Sequence, residues 1–171
     1  MNTVKVSVII PTYKRTEDIY RAIDSVLSQT LEDIEVIVVD DNGVDTEAGK
    51  KTASAMQRYK DESRVIYLQH QVNKNGSAAR NTGIKAAKGD YISFLDDDDV
   101  YHPERLERIV ARMDTLDDTW GACYTGYVKH QPNGTDQYSA ETVEGDLFIQ
   151  ALMRSLFIGT GSNLFLILSV V

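Results

Sequence analysis

Four consecutive aspartates, Asp96 to Asp99, close the short apolar run Tyr91-Ile-Ser-Phe-Leu95. Two carboxylates about 5 Å apart repel by roughly 3 kcal/mol at an effective dielectric of about 20, so the cluster needs water or a cation to take up its charge. In an extended segment Asp96 and Asp98 point one way and Asp97 and Asp99 the other, which offers an Asp-x-Asp pair to a hard divalent cation. Mg²⁺ or Mn²⁺ takes such oxygen ligands, usually one or two from protein, with phosphates and water completing the shell. The structural alternative is a solvated acidic turn ahead of a helix near Pro103, with Asp99 or His102 favouring the helix start, and the two roles are compatible. A second acidic pair, Asp40-Asp41, leads into Asn42-Gly43. A carboxylate there can accept from a ribose hydroxyl or from the imide nitrogen of uracil, and the same residues also suit a plain Asx-type turn. The third constellation is the loop Asn73-Lys-Asn-Gly-Ser-Ala-Ala-Arg80. It enters a helix whose free N–H groups suit an anion, and Arg80 can reach a phosphate or a base.

These groups must be held by an alternation of short apolar runs and helical periods. Val4–Ile10 reads as a first strand, stopped by Pro11. Thr16 is a good helix N-cap, and Ile19, Ile23, Val26 and Leu27 then share one helix face. Glu35–Val39 is a second strand and Thr46 to about Tyr59 a second, more polar helix. Arg64–Leu68 is a third strand. Ser77 is expected to cap an Ala-rich helix ending near Ala87, with Gly89 as its stop signal. Tyr91–Leu95 is a fourth strand. Leu106, Ile109, Val110, Met113 and Leu116 form an amphipathic stripe, and Trp120–Val128 a fifth strand. Further on the signals weaken to a turn at Asn133-Gly134, a helix over Leu147–Leu156, a loop at Gly159–Ser162 and an apolar end. Consecutive βα units predict an α/β fold with a mainly parallel central sheet and helices on both faces. Acidic clusters then fall at the carboxyl ends of strands, where such sheets bind ligands.

Composition narrows the function. The chain has 171 residues, 42% hydrophobic and 26% charged, enough for one domain with a substantial core. A net charge of -8 argues against contact with a nucleic-acid backbone. One cysteine, Cys123, excludes an internal disulfide and a cysteine-based zinc site, and suits a reducing, cytoplasmic setting. Val4–Ile10 runs straight into Pro11, unlike a signal peptide. Leu164–Val171 is too short to span a membrane and reads as a last core strand. Were it left exposed, it would favour self-association. His70, His102 and His130 lack metal-ligand spacing. No Walker-type loop, dinucleotide-binding glycine motif or nucleophile elbow is present.

Six strings in order carry a resemblance: Val6-Ser-Val-Ile-Ile-Pro-Thr-Tyr-Lys-Arg15, Ser25-Val-Leu-Ser-Gln-Thr30, Val38-Val-Asp-Asp-Asn42, Asn75-Gly-Ser-Ala-Ala-Arg-Asn-Thr-Gly83, Leu95-Asp-Asp-Asp-Asp99 and Pro103-Glu-Arg-Leu106. Together they resemble the family 2 glycosyltransferases, which have the GT-A fold. The resemblance implies that Pro11, Thr12, Tyr13 and Arg15 line a nucleotide pocket with Asn75 and Gly76, that Asp40 reads the base, and that Arg80 supports the nucleotide. It implies further that Asp97 lies near the ribose and sugar, that Asp98 is the direct ligand of Mn²⁺ or Mg²⁺, and that Asp96 assists. The implied reaction moves a sugar, with inversion, from a nucleotide-diphosphate sugar, expected to be UDP-linked, to a glycan or lipid-linked saccharide. A peripheral place at the inner membrane face would suit such an acceptor. Residues 1–128 correspond to the donor-binding half and 129–171 to the start of the acceptor-side half. No family base motif is evident after Lys129, where Glu141, Glu144 and Asp146 are the available carboxylates. The base is therefore expected beyond Val171, and a non-catalytic nucleotide-sugar-binding module is the second reading.

Overall fold

The computed structural model describes residues 4–117, 119–140, 144–145, 162 and 164–168. The elements run β1 (Val6–Thr12), α1 (Ile19–Leu27), β2 (Ile34–Asp40), α2 (Glu47–Met56, continued as a 3₁₀ turn to Tyr59), β3 (Val65–Gln69), α3 (Gly76–Ala86), β4 (Tyr91–Phe94), α4 (Arg105–Met113), β5 (Ala122–Tyr124), β6 (Tyr127–His130), β7 (Asp136–Ser139) and β8 (Leu164–Ile167). Six strands form one sheet in the order β3-β2-β1-β4-β8-β5. The first four are parallel, as the repeated βα pattern predicts, and β8 runs antiparallel to both β4 and β5.

The order reverses at β1: the chain leaves it toward β2 and β3 on one side, while β4 joins from the other. A crevice opens at the carboxyl ends of strands at such a reversal. Alternation along β1 builds two cores. Val6, Val8 and Ile10 pack with the Ile19, Ile23 and Val26 face of α1 and the Leu106, Ile109 and Val110 face of α4. Ile9 points to the opposite side and packs with Ile37, Val39, Ile92, Phe94 and Ala79 of α3. Every residue of β2 is buried, as expected of a central strand covered on both faces.

Several local expectations give way to the tertiary structure. Thr16 does not cap α1; its hydroxyl lies 3.2 Å from that of Thr52, and the helix begins only at Ile19, after a turn. Asn75 rather than Ser77 caps α3, its Oδ1 accepting from Ala78 N at 3.1 Å. Ahead of Gly89, the backbone already leaves the helix at Ala87, where ψ is 141°. Pro103 precedes α4 by two residues. Leu116 lies past the end of α4, yet still packs against the core.

The single strand expected over Trp120–Val128 is two. β5 stays in the main sheet, while β6 turns away to form a separate hairpin with β7 around Asn133-Gly134. The break falls at Gly126, where a Cβ would stand 2.7 Å from the carbonyl oxygen of Ser139. Only glycine lets the returning strand pass so close. The apolar end is not an exposed tail over Leu164–Ile167. It is an interior strand, and Phe165 is fully buried against Tyr91, ring centroids 5.0 Å apart. The helix expected over 147–156, the loop at 159–161, and Glu141 and Asp146 lie outside the described residues. Among the described residues no helix is long and apolar enough to cross a membrane.

Candidate functional site

A cleft of about 620 Å³ lies over the carboxyl ends of β1, β2 and β4. β1 supplies Pro11 and Thr12, and the loop after it Tyr13 and Arg15; Asp41 follows β2; Asn73, Asn75, Gly76, Ala79 and Arg80 come from the β3–α3 loop and the first turns of α3; Asp96 to Asp99 follow β4. Ten of the residues singled out in the sequence therefore meet at one site: Pro11, Thr12, Tyr13, Arg15, Asn75, Gly76, Arg80, Asp96, Asp97 and Asp98.

The four aspartates are not extended. Asp99 N donates to Asp96 O at 3.0 Å, so the segment closes a turn and each carboxylate finds a different partner. Asp96 accepts from Arg80 Nη2 at 2.6 Å. Asp97, buried, accepts from Thr12 Oγ1 at 2.7 Å. Asp98, about half exposed, pairs with Arg15, whose Nη1 also lies 3.8 Å from Asp97. Asp99 accepts from Ser162 Oγ at 2.7 Å, tying the turn to the approach to β8 instead of capping α4. Two arginines thus take up part of the charge for which the sequence alone suggested water or a cation. Burial raises the Asp97 carboxyl above its ordinary range, against the Thr12 hydrogen bond and the Arg15 charge that lower it.

Asp40 is where the structure departs from the expected site. It is the last residue of β2, fully buried, and absent from the cleft wall. Its Oδ1 accepts from the backbone N and the Nδ2 of Asn42 at 2.8 and 2.7 Å, and its Oδ2 from Tyr67 OH at 2.6 Å and Gln69 Nε2 at 3.0 Å. Four donors fill a carboxylate's acceptor sites. Burial first, and then the bond to Asp40, push the Tyr67 hydroxyl well up, so it remains a donor. Asp41, the first residue outside the strand, is the one facing the cleft. The string Asp40-Asp41 pointed to the place. The last paired residue of β2, which only the sheet register defines, decides which of the two carboxylates lines the cleft.

The loops are tied to each other. Lys14 takes a left-handed conformation, φ 61°, and its N–H donates to Asn42 Oδ1 at 2.8 Å, linking the loops after β1 and β2. A non-glycine residue held at positive φ is uncommon, and such strain collects at functional loops. Among the described residues no group of three His, Cys, Asp or Glu side chains is arranged to hold an ion by itself. The donor set still suits a hard cation of the Mg²⁺ or Mn²⁺ kind, which commonly takes one or two carboxylates and leaves the remaining positions to phosphate oxygens and water. Glu144 is not in the cleft wall; its carboxylate lies 3.6 Å from Arg112.

A sheet reversed at β1, with a charged cleft over its carboxyl edge, defines an α/β domain of the Rossmann-like, ligand-binding class. Residues 7–168 match glycosyl transferase family 2, and the chain belongs to that family. It is 36% identical over 148 residues to an uncharacterized glycosyltransferase of Rickettsia conorii, covering 86% of this chain and 23% of that protein. The crystal structure of S. aureus TarS in complex with UDP-GlcNAc matches with a TM-score of 0.57 and 31% identity, over 65% of this chain and 31% of that one. Another TarS structure aligns over 97% of this chain and 48% of its own, with a TM-score of 0.69 and 23% identity, which shows the shared GT-A fold. The mannosyltransferase PcManGT from Pyrobaculum calidifontis, in complex with GDP-Man and Mn²⁺, matches with a TM-score of 0.58 and 26% identity, over 71% of this chain and 35% of that one. The chain thus spans less than a quarter of the Rickettsia relative and between about a third and a half of these TarS and PcManGT chains.

Proposed function

We propose that this chain is the donor-binding part of a glycosyltransferase that takes a nucleotide-diphosphate sugar, of the UDP class, and delivers the sugar with inversion to a glycan or lipid-linked saccharide. The observation that carries this is the polarity of one cleft. Its wall brings together the Asp41 carboxylate and four aspartates interleaved with Arg15 and Arg80. On this reading Asp41, in place of Asp40, accepts from the nucleobase, and Tyr13, 45% exposed, offers a ring to stack on it. Arg15, Arg80 and the amino end of α3 face the diphosphate. Asp97 orients the ribose or the sugar. Asp98, the most exposed of the four, would hold a Mn²⁺ or Mg²⁺ ion with help from Asp96. Such an ion, when bound, neutralises charge that develops on the leaving diphosphate. Arg15 and Arg80 would exchange their carboxylate partners for phosphate oxygens as donor binds.

TarS with UDP-GlcNAc and PcManGT with GDP-Man and Mn²⁺ support a nucleotide-sugar donor and a divalent ion. Residues 1–128 form the donor half and 129–171 begin the acceptor side, and the general base comes from outside this cleft. A cytoplasmic enzyme working at the inner membrane face fits a lipid-linked acceptor. Isothermal titration with UDP, with and without Mn²⁺, tests the assignment. Wild-type protein should bind UDP with a Mn²⁺-dependent gain, and Asp98→Ala should lose that gain, weakening binding in Mn²⁺ on the order of tenfold. Absence of UDP binding, or an unchanged Mn²⁺ effect in Asp98→Ala, would overturn it.

A further inference from the structure

His70 is buried, 7% exposed, directly behind Asp41 and outside the cleft wall. Its Nδ1 lies 2.7 Å from Asp41 Oδ1, and its Nε2 2.9 Å from Thr82 Oγ1 on α3. A bare ring nitrogen at that distance would face a carboxylate lone pair to lone pair, so Nδ1 carries a proton and donates. Thr82 Oγ1 also lies 3.0 Å from Ala78 O, which fixes the far end of the ring to the helix that walls the cleft. The remaining partners of Asp41 can be counted. Oδ1 also accepts from Lys74 N at 2.8 Å, and Oδ2 accepts from Asn73 Nδ2 at 2.8 Å. A carboxylate has about four acceptor sites. Three are filled by the chain, which leaves one on Oδ2, and Asp41, only 2% exposed, lines the cleft.

We propose that His70 is a positioning residue: it locks Asp41 so that the one open acceptor site of Oδ2 meets the nucleobase, and thereby makes the cleft select a base with a ring N–H. This rests on the nucleotide reading above. Uracil presents such a donor at the Watson–Crick edge, whereas cytosine presents an acceptor there, which would face the carboxylate unpaired. The lone histidine gave no such sign in the sequence, because its partners are Asp41, 29 residues earlier and just past β2, and Thr82 on α3.

The test compares UDP and CDP binding by titration calorimetry in wild type, His70→Ala, His70→Asn and His70→Gln, with thermal melting of each variant. Asparagine keeps a donor where Nδ1 stood, and glutamine keeps one near Nε2. Wild type should prefer UDP. His70→Ala and His70→Gln should lose preference on the order of tenfold, the size of one hydrogen bond to a charged group, and His70→Asn should retain most of it. A purely structural histidine would change melting temperature without changing the UDP to CDP ratio. An unchanged ratio in His70→Ala and His70→Gln, with UDP still bound, overturns the role of His70 alone. Should His70→Ala fail to fold, equal ratios in the Asn and Gln variants overturn it. A wild type that binds neither nucleotide overturns the nucleotide reading itself and this inference with it.

Discussion

Replacing Gly83 with alanine tests how α3 is seated, and with it half of the cleft. Gly83 is buried on the helix face that meets Ile9 of β1. A Cβ at this position would stand 2.4 Å from Ile9 Cγ2, 3.0 Å from Cγ1 and 3.2 Å from Cδ1. Carbon atoms pack best near 3.5–4.0 Å, so helix and strand must separate by roughly 1 Å or Ile9 must leave its rotamer. Ile9 is fully buried on a strand paired on both sides, and a β-branched side chain has little rotameric freedom. Overpacking of this kind costs about 1–3 kcal/mol, while glycine to alanine inside a helix returns about 1 kcal/mol. The net expectation in the wild-type background is a loss of about 1 kcal/mol.

The sign should reverse once Ile9 is cut back. Ile9→Ala removes all three crowding carbons and by itself costs about 2–5 kcal/mol. In that background Gly83→Ala has only its helix preference left and should stabilise by up to about 1 kcal/mol. Urea denaturation of the four proteins gives the coupling directly, expected near 2 kcal/mol. Because Gly76, Ala79 and Arg80 ride on the same helix, Gly83→Ala alone should also weaken UDP binding severalfold, and the double variant should recover part of it. An equal effect of Gly83→Ala in both backgrounds would refute the seating argument.

Asp97→Asn should melt higher than wild type at neutral pH, while donor binding falls. Burial raises the folded-state pKa of Asp97, so the native state keeps a proton that the unfolded chain gives up. Its stability contribution is therefore fullest below the unfolded value of about 3.8 and declines as pH rises through the folded value. Melting scans from pH 4 to 8 should show the advantage of Asp97→Asn growing with pH, and a constant difference would refute it. Asp40→Ala should destabilise by roughly 3 kcal/mol or more, because it strands the buried donors of Tyr67, Gln69 and Asn42. If any folded fraction remains, its UDP to CDP preference should be unchanged. A stable Asp40→Ala protein that has lost this preference would restore Asp40 as the base reader.

Much of the architecture is a local matter, and the sequence shows it. Alternation in β1, the apolar Val36–Val39 run of β2 and the helical periods of α1 and α4 each need only the residues within one element. The parallel α/β sheet follows from their order. The same holds for the cleft as a set: strand ends are where polar residues interrupt apolar runs, and these interruptions at Pro11–Arg15, Asp40–Asp41 and Asp96–Asp99 are visible along the chain. What the sequence could not decide is which neighbour faces which way. Asp40 and Asp41 are chemically identical, and only the register of β2 against β1 and β3 keeps the first inside the sheet and puts the second, itself only 2% exposed, in the cleft wall. The turn at Asp96–Asp99, the arginine partners of Asp96 and Asp98, and the seat of His70 behind Asp41 depend on residues from distant strands and helices. So does the break at Gly126, set by the carbonyl of a strand still to come. Sequence placed the acidic residues at the edge of a sheet. The tertiary structure gave each carboxylate its partner, because hydrogen bonds and burial act between elements that the chain brings together only when folded.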